Sequence, residues 1–209
     1  MRYGLRTLLV LVALLGVVLA VHKGRMTGAH RQSERIAQIR KLSPSAITQY
    51  EFAQDKNWAP GRKKYPVWAE RWLGEDYLYS VDAFCIVQEA NPDAIIEQAA
   101  QLPHLRLVKL PACQISDKSL EPLQQLGRLE WLELFSTPVS DDGMKTVATL
   151  KSLKILDLRG TKVTDACIPC ITALPKLERL NVGDTAISAA GLEAIQKALP
   201  NCRIDTTTH

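Results

Sequence analysis

The chain has few of the residues and motifs on which most enzymes rely. Its four histidines, His22, His30, His104 and His209, pair in sequence with no plausible nucleophile. The motifs H-x-x-x-H, G-x-S-x-G and the glycine-rich phosphate loop are missing. We therefore predict that the protein is not an enzyme, holds no metal or cofactor, and takes no small-molecule substrate.

Cysteine is scarce and irregularly placed. The five residues are Cys85, Cys113, Cys167, Cys170 and Cys202, an odd number without a regular spacing, which argues against a disulfide framework. Cys167-x-x-Cys170 is the one suggestive pair. A metal or redox role would need a second ligand pair or a thioredoxin-like context, and the sequence has neither. We predict small core-filling side chains instead.

Excess positive charge is confined to the first part of the chain. Residues 1–81 hold 13 Lys/Arg against 6 Asp/Glu, whereas residues 82–209 hold 13 against 16. An acidic balance in the larger part excludes it as a nucleic-acid-binding domain on electrostatic grounds. We therefore predict no nucleic-acid partner.

A 24-residue repeat occupies the second half of the chain. Its second copy reads LEWLELFSTPVSD from Leu129, and its third reads LKILDLRGTKVTD from Leu153. The first copy begins at Leu105 and the fourth at Leu177, which has Ala189 where the others have Asp. A fixed period of this length predicts a stacked solenoid, because a single unit cannot bury its apolar face alone.

Each copy combines two apolar spacings. Leu132 and Leu134 alternate with polar or exposed positions, as in a short strand, and Met144, Val147 and Leu150 follow at helical spacing. Stacked copies should form one parallel sheet with helices on the opposite side. A Ser or Thr precedes each helical stretch as an N-cap, and an Asp follows it in three copies, where a carboxylate suits the helix N-terminus. A Cys or Thr at the bend after each strand (Cys113, Thr137, Thr161, Thr185) should bond backbone groups that leave the sheet.

The pattern L-x-x-L-x-L-x-x-[TC]-x-[IV]-[ST]-D resembles the leucine-rich repeat family from Leu105 to Leu199. The resemblance implies an α/β solenoid, a right-handed arc with parallel strands on a concave face and helices on the convex face. It also implies that the concave face contacts proteins. A degenerate copy at 81–101 and a final strand extend the predicted repeat domain to 81–204, and 205–209 is predicted to be a tail.

The N-terminus carries a charge-free apolar run, Thr7–Val21, after two arginines. It has two interpretations, a cleaved signal peptide or an uncleaved transmembrane anchor at 1–21, and we favour the anchor. Residues 22–80 should follow as a basic juxtamembrane helix (Ala29–Leu42) and an N-terminal cap containing Trp68 and Trp72. This order resembles small membrane-anchored leucine-rich repeat proteins of bacteria. We expect a single-pass membrane protein with an extracytoplasmic repeat domain, although the basic residues after the run favour the cytoplasmic side.

The repeat period also predicts which side chains share the concave face, which we define as the sheet surface opposite the helices. An apolar row should be centred on Trp131 and rimmed by charges, as is usual in a protein-binding hot spot. The candidate site consists of Trp131, Phe135, Leu107, Ile155, Lys109, Glu133, Asp157 and Arg159. Two alternatives remain: these side chains stack only on each other, or they lie under the N-terminal segment.

We predict a membrane-tethered leucine-rich repeat protein that binds a protein or peptide ligand on its concave face. The alternative is a structural, envelope-associated repeat protein without a specific ligand. An adaptor resembling the repeat half of ubiquitination substrate receptors is less favoured, because no F-box-like helical module precedes the repeats. Glu133 and Asp157 could form a paired-carboxylate site, but Lys109 and Arg159 beside them favour a cluster of ion pairs.

Overall fold

The computed structural model describes residues 5–50, 81–89 and 91–207, and it divides the chain into two compact units. Residues 1–34 and 59–80 form the first unit, and residues 35–58 and 81–209 form the second. The second unit therefore includes residues 35–58 together with the repeats. The sequence analysis had placed these residues in one continuous segment, 22–80.

The first described element is helix α1, Leu5–Leu42, of which residues 5–34 belong to the first unit. It contains the apolar run Thr7–Val21, in which the side chains of residues 7–15 are not among those described. None of the helices built from described residues is both long enough and apolar enough to cross a membrane. Trp68 and Trp72, predicted to cap the repeats, lie outside the described residues.

The second unit is organised around one sheet, whose described strands stack in chain order. They are β1 (Ile47–Tyr50), β2 (Val81–Cys85), β3 (Leu107–Lys109), β4 (Trp131–Glu133), β5 (Ile155–Asp157), β6 (Arg179–Asn181) and β7 (Arg203–Asp205). Strand β1 pairs antiparallel with β2, and every later pairing is parallel. From β2 to β7, paired residues are 24 apart, as the repeat predicts. The α/β solenoid is confirmed.

The helical side of each repeat varies more than its strand. It contains α2 (Asp93–Ala100), a 3-10 helix (Asp117–Gln125), α3 (Asp141–Val147), a 3-10 turn (Asp165–Cys167) that leads into α4 (Ile168–Thr172), and α5 (Ala189–Ala198). Pro122 lies inside the first 3-10 helix, where its missing N–H removes an α-helical hydrogen bond. The core lies between helices and sheet. Leu132, Leu134, Met144 and Val147 are fully buried there, and each contributes ~1.5–3 kcal/mol of transfer free energy.

An aspartate ladder joins successive repeats on the helical side. The predicted N-caps Ser140 and Thr164 accept backbone N–H bonds from their own helices. They also donate to the aspartate of the preceding repeat. The backbone N–H and hydroxyl of Ser140 donate to Asp117 at 2.8 and 2.6 Å, and those of Thr164 donate to Asp141 at 2.8 and 2.7 Å. Each aspartate therefore links its own helix to the next one. The sequence analysis had assigned these residues to the helix dipole alone.

The turn after each strand also repeats. The hydroxyls of Thr137, Thr161 and Thr185 donate to the carbonyl three residues earlier at 2.6–2.7 Å, as expected for that column. The residue before each threonine has a left-handed backbone, with φ between +52° and +66°. That residue is Gly160 in one repeat, but Ser136 and Asp184 in its neighbours. The same turn therefore forms without glycine. The conformational free-energy cost is modest, because only a single non-glycine residue adopts the left-handed conformation.

The first repeat is covered by the segment that precedes it. Ile36 and Ile39, near the end of α1, are buried in the core, and β1 adds an antiparallel edge strand. The guanidinium of Arg35 donates to Gln98 on α2 at 2.8 Å. Leu42, the last residue of α1, is by contrast 49% exposed. The reason is that α1 ends there and the chain turns into β1.

The C-terminal boundary differs from the prediction by one residue. Asp205, predicted to begin the tail, is the last residue of β7. Its carboxylate accepts bonds from the backbone N–H and hydroxyl of Thr207 at 2.9 and 2.8 Å. The carbonyl of Thr207 lies against Gly183, where a Cβ would clash with it. Residues 205–207 therefore pack on the solenoid.

Candidate functional site

The concave face is formed by side chains that alternate with the buried strand leucines. Paired positions run across the sheet as Leu107, Trp131, Ile155 and Arg179, then Arg203. A second row consists of Lys109, Glu133, Asp157, Asn181 and Asp205. Every predicted site residue on the strands is therefore where the repeat period places it. Phe135 and Arg159 follow just beyond β4 and β5, where the backbone N–H of Ser136 donates to the carbonyl of Arg159.

The apolar row is accessible at its centre and closed at its first end. Trp131 and Ile155 are half-buried, whereas Leu107 is only 4% exposed. Leu107 lies between Ala83 and Trp131 on the neighbouring strands. A side chain covered to this extent contributes little to the accessible surface of the face, so Leu107 remains the weakest of the predicted contact residues. Trp131 and Ile155 are the accessible apolar pair.

Lys109 is held over the central tryptophan. Its ammonium lies 4.4 Å from the centre of the Trp131 ring and 3.0 Å from Glu133 Oε2. An ammonium over an indole face is attracted by the ring quadrupole, and the carboxylate fixes the lysine from the adjacent strand. These two contacts stabilise the observed orientation of the indole.

Asp157 is the most enclosed charge of the face, at 4% exposure. It accepts bonds from Nε and a terminal nitrogen of Arg159 at 3.0 and 2.7 Å, from the Arg159 backbone N–H at 3.1 Å, and from the Asn181 amide at 3.1 Å. Burial would raise its pKa, but these bonds outweigh burial and hold the pKa of Asp157 below its usual range. The predicted solvated rim charge is therefore a buried, ionised carboxylate.

The pairing of each carboxylate removes the paired-carboxylate hypothesis. Glu133 is bonded to Lys109, and Asp157 is saturated by Arg159 and Asn181. A general acid must keep a proton near neutral pH, and Asp157 is stabilised in its ionised form. Arg159 also lies 5.1 Å from the centre of the Phe135 ring, so that side chain is fixed as well.

A depression of about 220 Å³ opens beside the tryptophan. Its lining comprises Trp131, Ile155, Asp157, Arg179, Asn181, Arg203 and Asp205. The sequence analysis identified three of these as site residues and missed the rest, above all Arg203 and Asp205 on β7. The spacing of 24 from Arg179 to Arg203 and from Asn181 to Asp205 was the available signal, but a one-residue slip in the last repeat obscured it.

A second depression, of about 400 Å³, lies before the strands begin. It is lined by Arg106, Arg128, Glu130, Ser152, Lys154 and Lys176. Glu130 accepts bonds from Arg106 at 2.8 and 3.0 Å and lies 2.9 Å from the Lys154 ammonium. Burial opposes ionisation of Glu130, but these two cations outweigh it and lower its pKa. Arg128 and Lys176 are exposed at either side.

The cysteines form no chemical centre in the described residues. All five are free thiols, and Cys113, Cys167 and Cys202 are buried, as expected for core fillers. Burial raises the pKa of the Cys167 thiol to about 12, so its reactive thiolate is suppressed. Within the described ranges, no three His, Cys, Asp or Glu side chains are grouped as a metal site would require.

Comparisons with known proteins find similarity to one repeat family. The family described as "Leucine Rich repeat" matches residues 173–195, which include most of the fourth copy. A solved leucine-rich repeat protein from Leptospira interrogans is 29% identical over 52% of this chain, with a TM-score of 0.41. This chain spans 27% of that protein's length. No curated protein matches the chain.

Two eukaryotic structures are also similar. The ectodomain of the receptor kinase SOBIR1 from Arabidopsis thaliana is 14% identical, with 85% of this chain and 91% of that chain covered and a TM-score of 0.45. The tropomodulin C-terminal domain from Caenorhabditis elegans is 15% identical, with 57% and 83% covered and a TM-score of 0.47.

Proposed function

We propose that the repeats form a leucine-rich repeat domain that binds a protein or peptide ligand through the concave face. The observation that carries the proposal is Trp131. Its half-exposed indole lies under Lys109 and beside Ile155, the other accessible apolar side chain of the row, and borders the depression of the face. Aromatic side chains with this placement contribute most of the binding free energy in many interfaces.

The charged groups around Trp131 support the same function. Lys109 is bonded to Glu133, and Arg159 to Asp157, so these side chains need little further ordering when a partner binds. A pre-ordered surface loses less conformational entropy on association, and more of the contact energy becomes affinity.

We further propose that the domain is tethered to a membrane through the N-terminal segment, with the repeats on the extracytoplasmic side. The support is the charge-free run Thr7–Val21, which lies within α1, and the basic residues that follow it. Resistance of the full chain to alkaline carbonate extraction would support the tether. Release into the soluble fraction would contradict it. Protease protection in intact cells and in spheroplasts would determine the side.

The binding proposal is tested by site-specific crosslinking in cells. A photo-crosslinking residue at position 155 leaves Trp131 intact, and the same residue at position 145, where α3 carries the exposed Lys145, is the control. We expect a discrete adduct at 155 but not at 145, and its loss when Trp131→Ala is added. The partner can then be identified by mass spectrometry.

Equal labelling at the two positions would favour the structural alternative, an envelope-associated repeat protein that stacks without a specific ligand. Under that alternative, Trp131→Ala should be silent, and substitutions on the helical side should disturb the assembly. If the discrete adduct at position 155 still forms in the Trp131→Ala variant, the ligand binds the concave face but does not depend on Trp131.

A further inference from the structure

The depression beside Trp131 has two chemically different ends. One end is apolar and consists of Trp131 and Ile155 on β4 and β5. The other contains Arg179 and Arg203, which are paired residues on β6 and β7 and are both exposed. Adjacent strands are ~4.8 Å apart, so the two guanidinium groups can reach one anionic group together.

The carboxylates near these arginines already have other partners. Asp157 is bonded to Arg159 and Asn181, and Asp205 accepts two bonds from Thr207. The backbone N–H of Arg179 donates to the carbonyl of Lys154, but its guanidinium has no hydrogen bond or ion pair within the described part of the chain. Arg203 interacts with Asp205 through space, without a hydrogen bond between the two side chains in the described part. The arginine pair thus presents donors that the fold itself does not use.

The anion that suits this end carries a single charge. Counting Arg159, which is bonded to Asp157, the charged side chains of the depression sum to +1, which a carboxylate balances and a phosphate with −1.5 to −2 near neutral pH exceeds. A carboxylate also matches two parallel guanidinium donors in geometry. The apolar end requires an aromatic or aliphatic side chain on the same ligand.

The distance between the apolar end and the arginine end of the depression determines how far apart the two interacting side chains of a ligand must be. The centre of the apolar pair and the centre of the arginine pair are two strands apart, ~9.6 Å. A polyproline II segment has three residues per turn and rises 3.1 Å per residue, so side chains i and i+3 lie on one side ~9.3 Å apart. In an ideal β-strand, by contrast, i and i+3 point to opposite sides.

We propose that the concave face binds a peptide in which an apolar side chain is followed three residues later by a carboxylate. The apolar side chain lies on Trp131 and Ile155, and the carboxylate lies between Arg179 and Arg203. This proposal rests on the concave face being the binding surface, and it adds the chemical class and spacing of the ligand.

The test uses the full chain and fluorescein-labelled synthetic peptides in an anisotropy titration. The reference probe is acetyl-Gly-Pro-Trp-Pro-Pro-Glu-Pro-Gly-amide, and it is compared with peptides that have Gln, Lys or phosphoserine in place of Glu. Two more probes move Glu to i+2 or i+5. A further peptide ends at i+3 with a free C-terminal carboxylate. It shows whether the arginines prefer a C-terminal carboxylate or a side-chain carboxylate.

We expect the Glu peptide to bind about tenfold more tightly than the Gln peptide, because only the carboxylate offers the guanidinium groups an ionised acceptor with two oxygens. It should also bind more tightly than the peptides with other spacings. The double variant Arg179→Glu/Arg203→Glu should abolish this preference and favour the Lys peptide. The matched variant Arg128→Glu/Lys176→Glu, in the second depression, changes the charge by the same amount and should leave binding unchanged. Circular dichroism establishes that both variants are folded.

Several results would overturn the proposal. Equal affinity for the Glu and Gln peptides, no binding of the Glu peptide at about 1 mM, or an equal loss in the matched variant would each do so. If the phosphoserine peptide binds more tightly than the Glu peptide, the preferred anion is a phosphate and the proposed carboxylate is wrong. The crosslinking experiment tests the binding surface independently of the ligand class. If position 155 still forms its Trp131-dependent adduct but the peptides show no charge preference, the concave face binds a ligand and only the proposed ligand class is wrong.

Discussion

The aspartate ladder predicts that Asp141→Ala destabilises the repeat domain although Asp141 is not in the core. Its two carboxylate oxygens accept the backbone N–H and the hydroxyl of Thr164, one repeat further along. Charge-assisted bonds of this kind contribute ~1.5–3 kcal/mol each where they are enclosed, and less where water can replace them. Because Asp141 is half-buried, we expect a loss of ~2–3 kcal/mol for the pair.

The measurement is urea unfolding of the full chain, followed by circular dichroism. With a slope of ~2 kcal/mol per molar, the midpoint should fall by about 1 M. Asp142→Ala is the matched control, because Asp142 occupies the same helix N-terminus but bonds, in the described structure, to Lys145 of its own helix. It should shift the midpoint far less. The comparison separates the link between repeats from the helix dipole.

A double-mutant cycle with Thr164→Val tests the mechanism more directly. Valine removes the hydroxyl but keeps the backbone N–H, so the cycle isolates the hydroxyl–carboxylate bond, with a coupling of ~1 kcal/mol expected. The bond to the helix N–H of Ala166, which the threonine side chain also accepts, cancels in the cycle. Strictly additive variants, or an Asp141→Ala effect no larger than that of Asp142→Ala, would refute the proposed link.

Three further predictions follow from single residues. Gly143→Ala should destabilise the domain in the same urea assay, because its Cβ would lie 2.5 Å from Asp117 Oδ1; an unchanged midpoint would mean that the ladder can relax. The Asp157 pKa is lowered by folding, so its stabilisation is present above the unfolded pKa of ~3.9 and is lost as pH falls through the lower folded pKa. Asp157→Asn should flatten that acid dependence, and an identical pH profile would contradict it. In native protein at pH 8, iodoacetamide should label the half-buried Cys170 before Cys167, whose pKa is raised to about 12, as measured by mass spectrometry; faster labelling of Cys167 would contradict its burial.

The strand register could be predicted because it follows from the repeat alone. Copies of one unit stack most favourably in register, so a spacing of 24 places Trp131 beside Ile155 and Glu133 beside Asp157 without any knowledge of the fold. The same reasoning predicted the N-caps and the threonine column, since each depends on residues within one repeat. The last strand was less certain, because its repeat slips by one residue in sequence while its backbone remains in register with β6.

Burial on the concave face could not be predicted in the same way. Leu107 and Ile155 occupy equivalent positions, yet Leu107 is covered and Ile155 is accessible. Exposure depends on what surrounds a repeat, and the two ends of a solenoid have different surroundings. The enclosure of Asp157 similarly requires Arg159 to fold back over its own strand and Asn181 to reach across from the next one.

The sequence by itself determined the repeat unit, the α/β solenoid and the columns of the concave face, because these follow from short-range periodicity and identical stacking. Only the tertiary structure decided which of those side chains are accessible, which carboxylates are already paired, and that Asp117 and Asp141 bond to the next repeat. It also brought Arg203 beside Arg179 at the end of the face. These features depend on contacts between neighbouring repeats, whose free energies are set by distance and burial rather than by residue order.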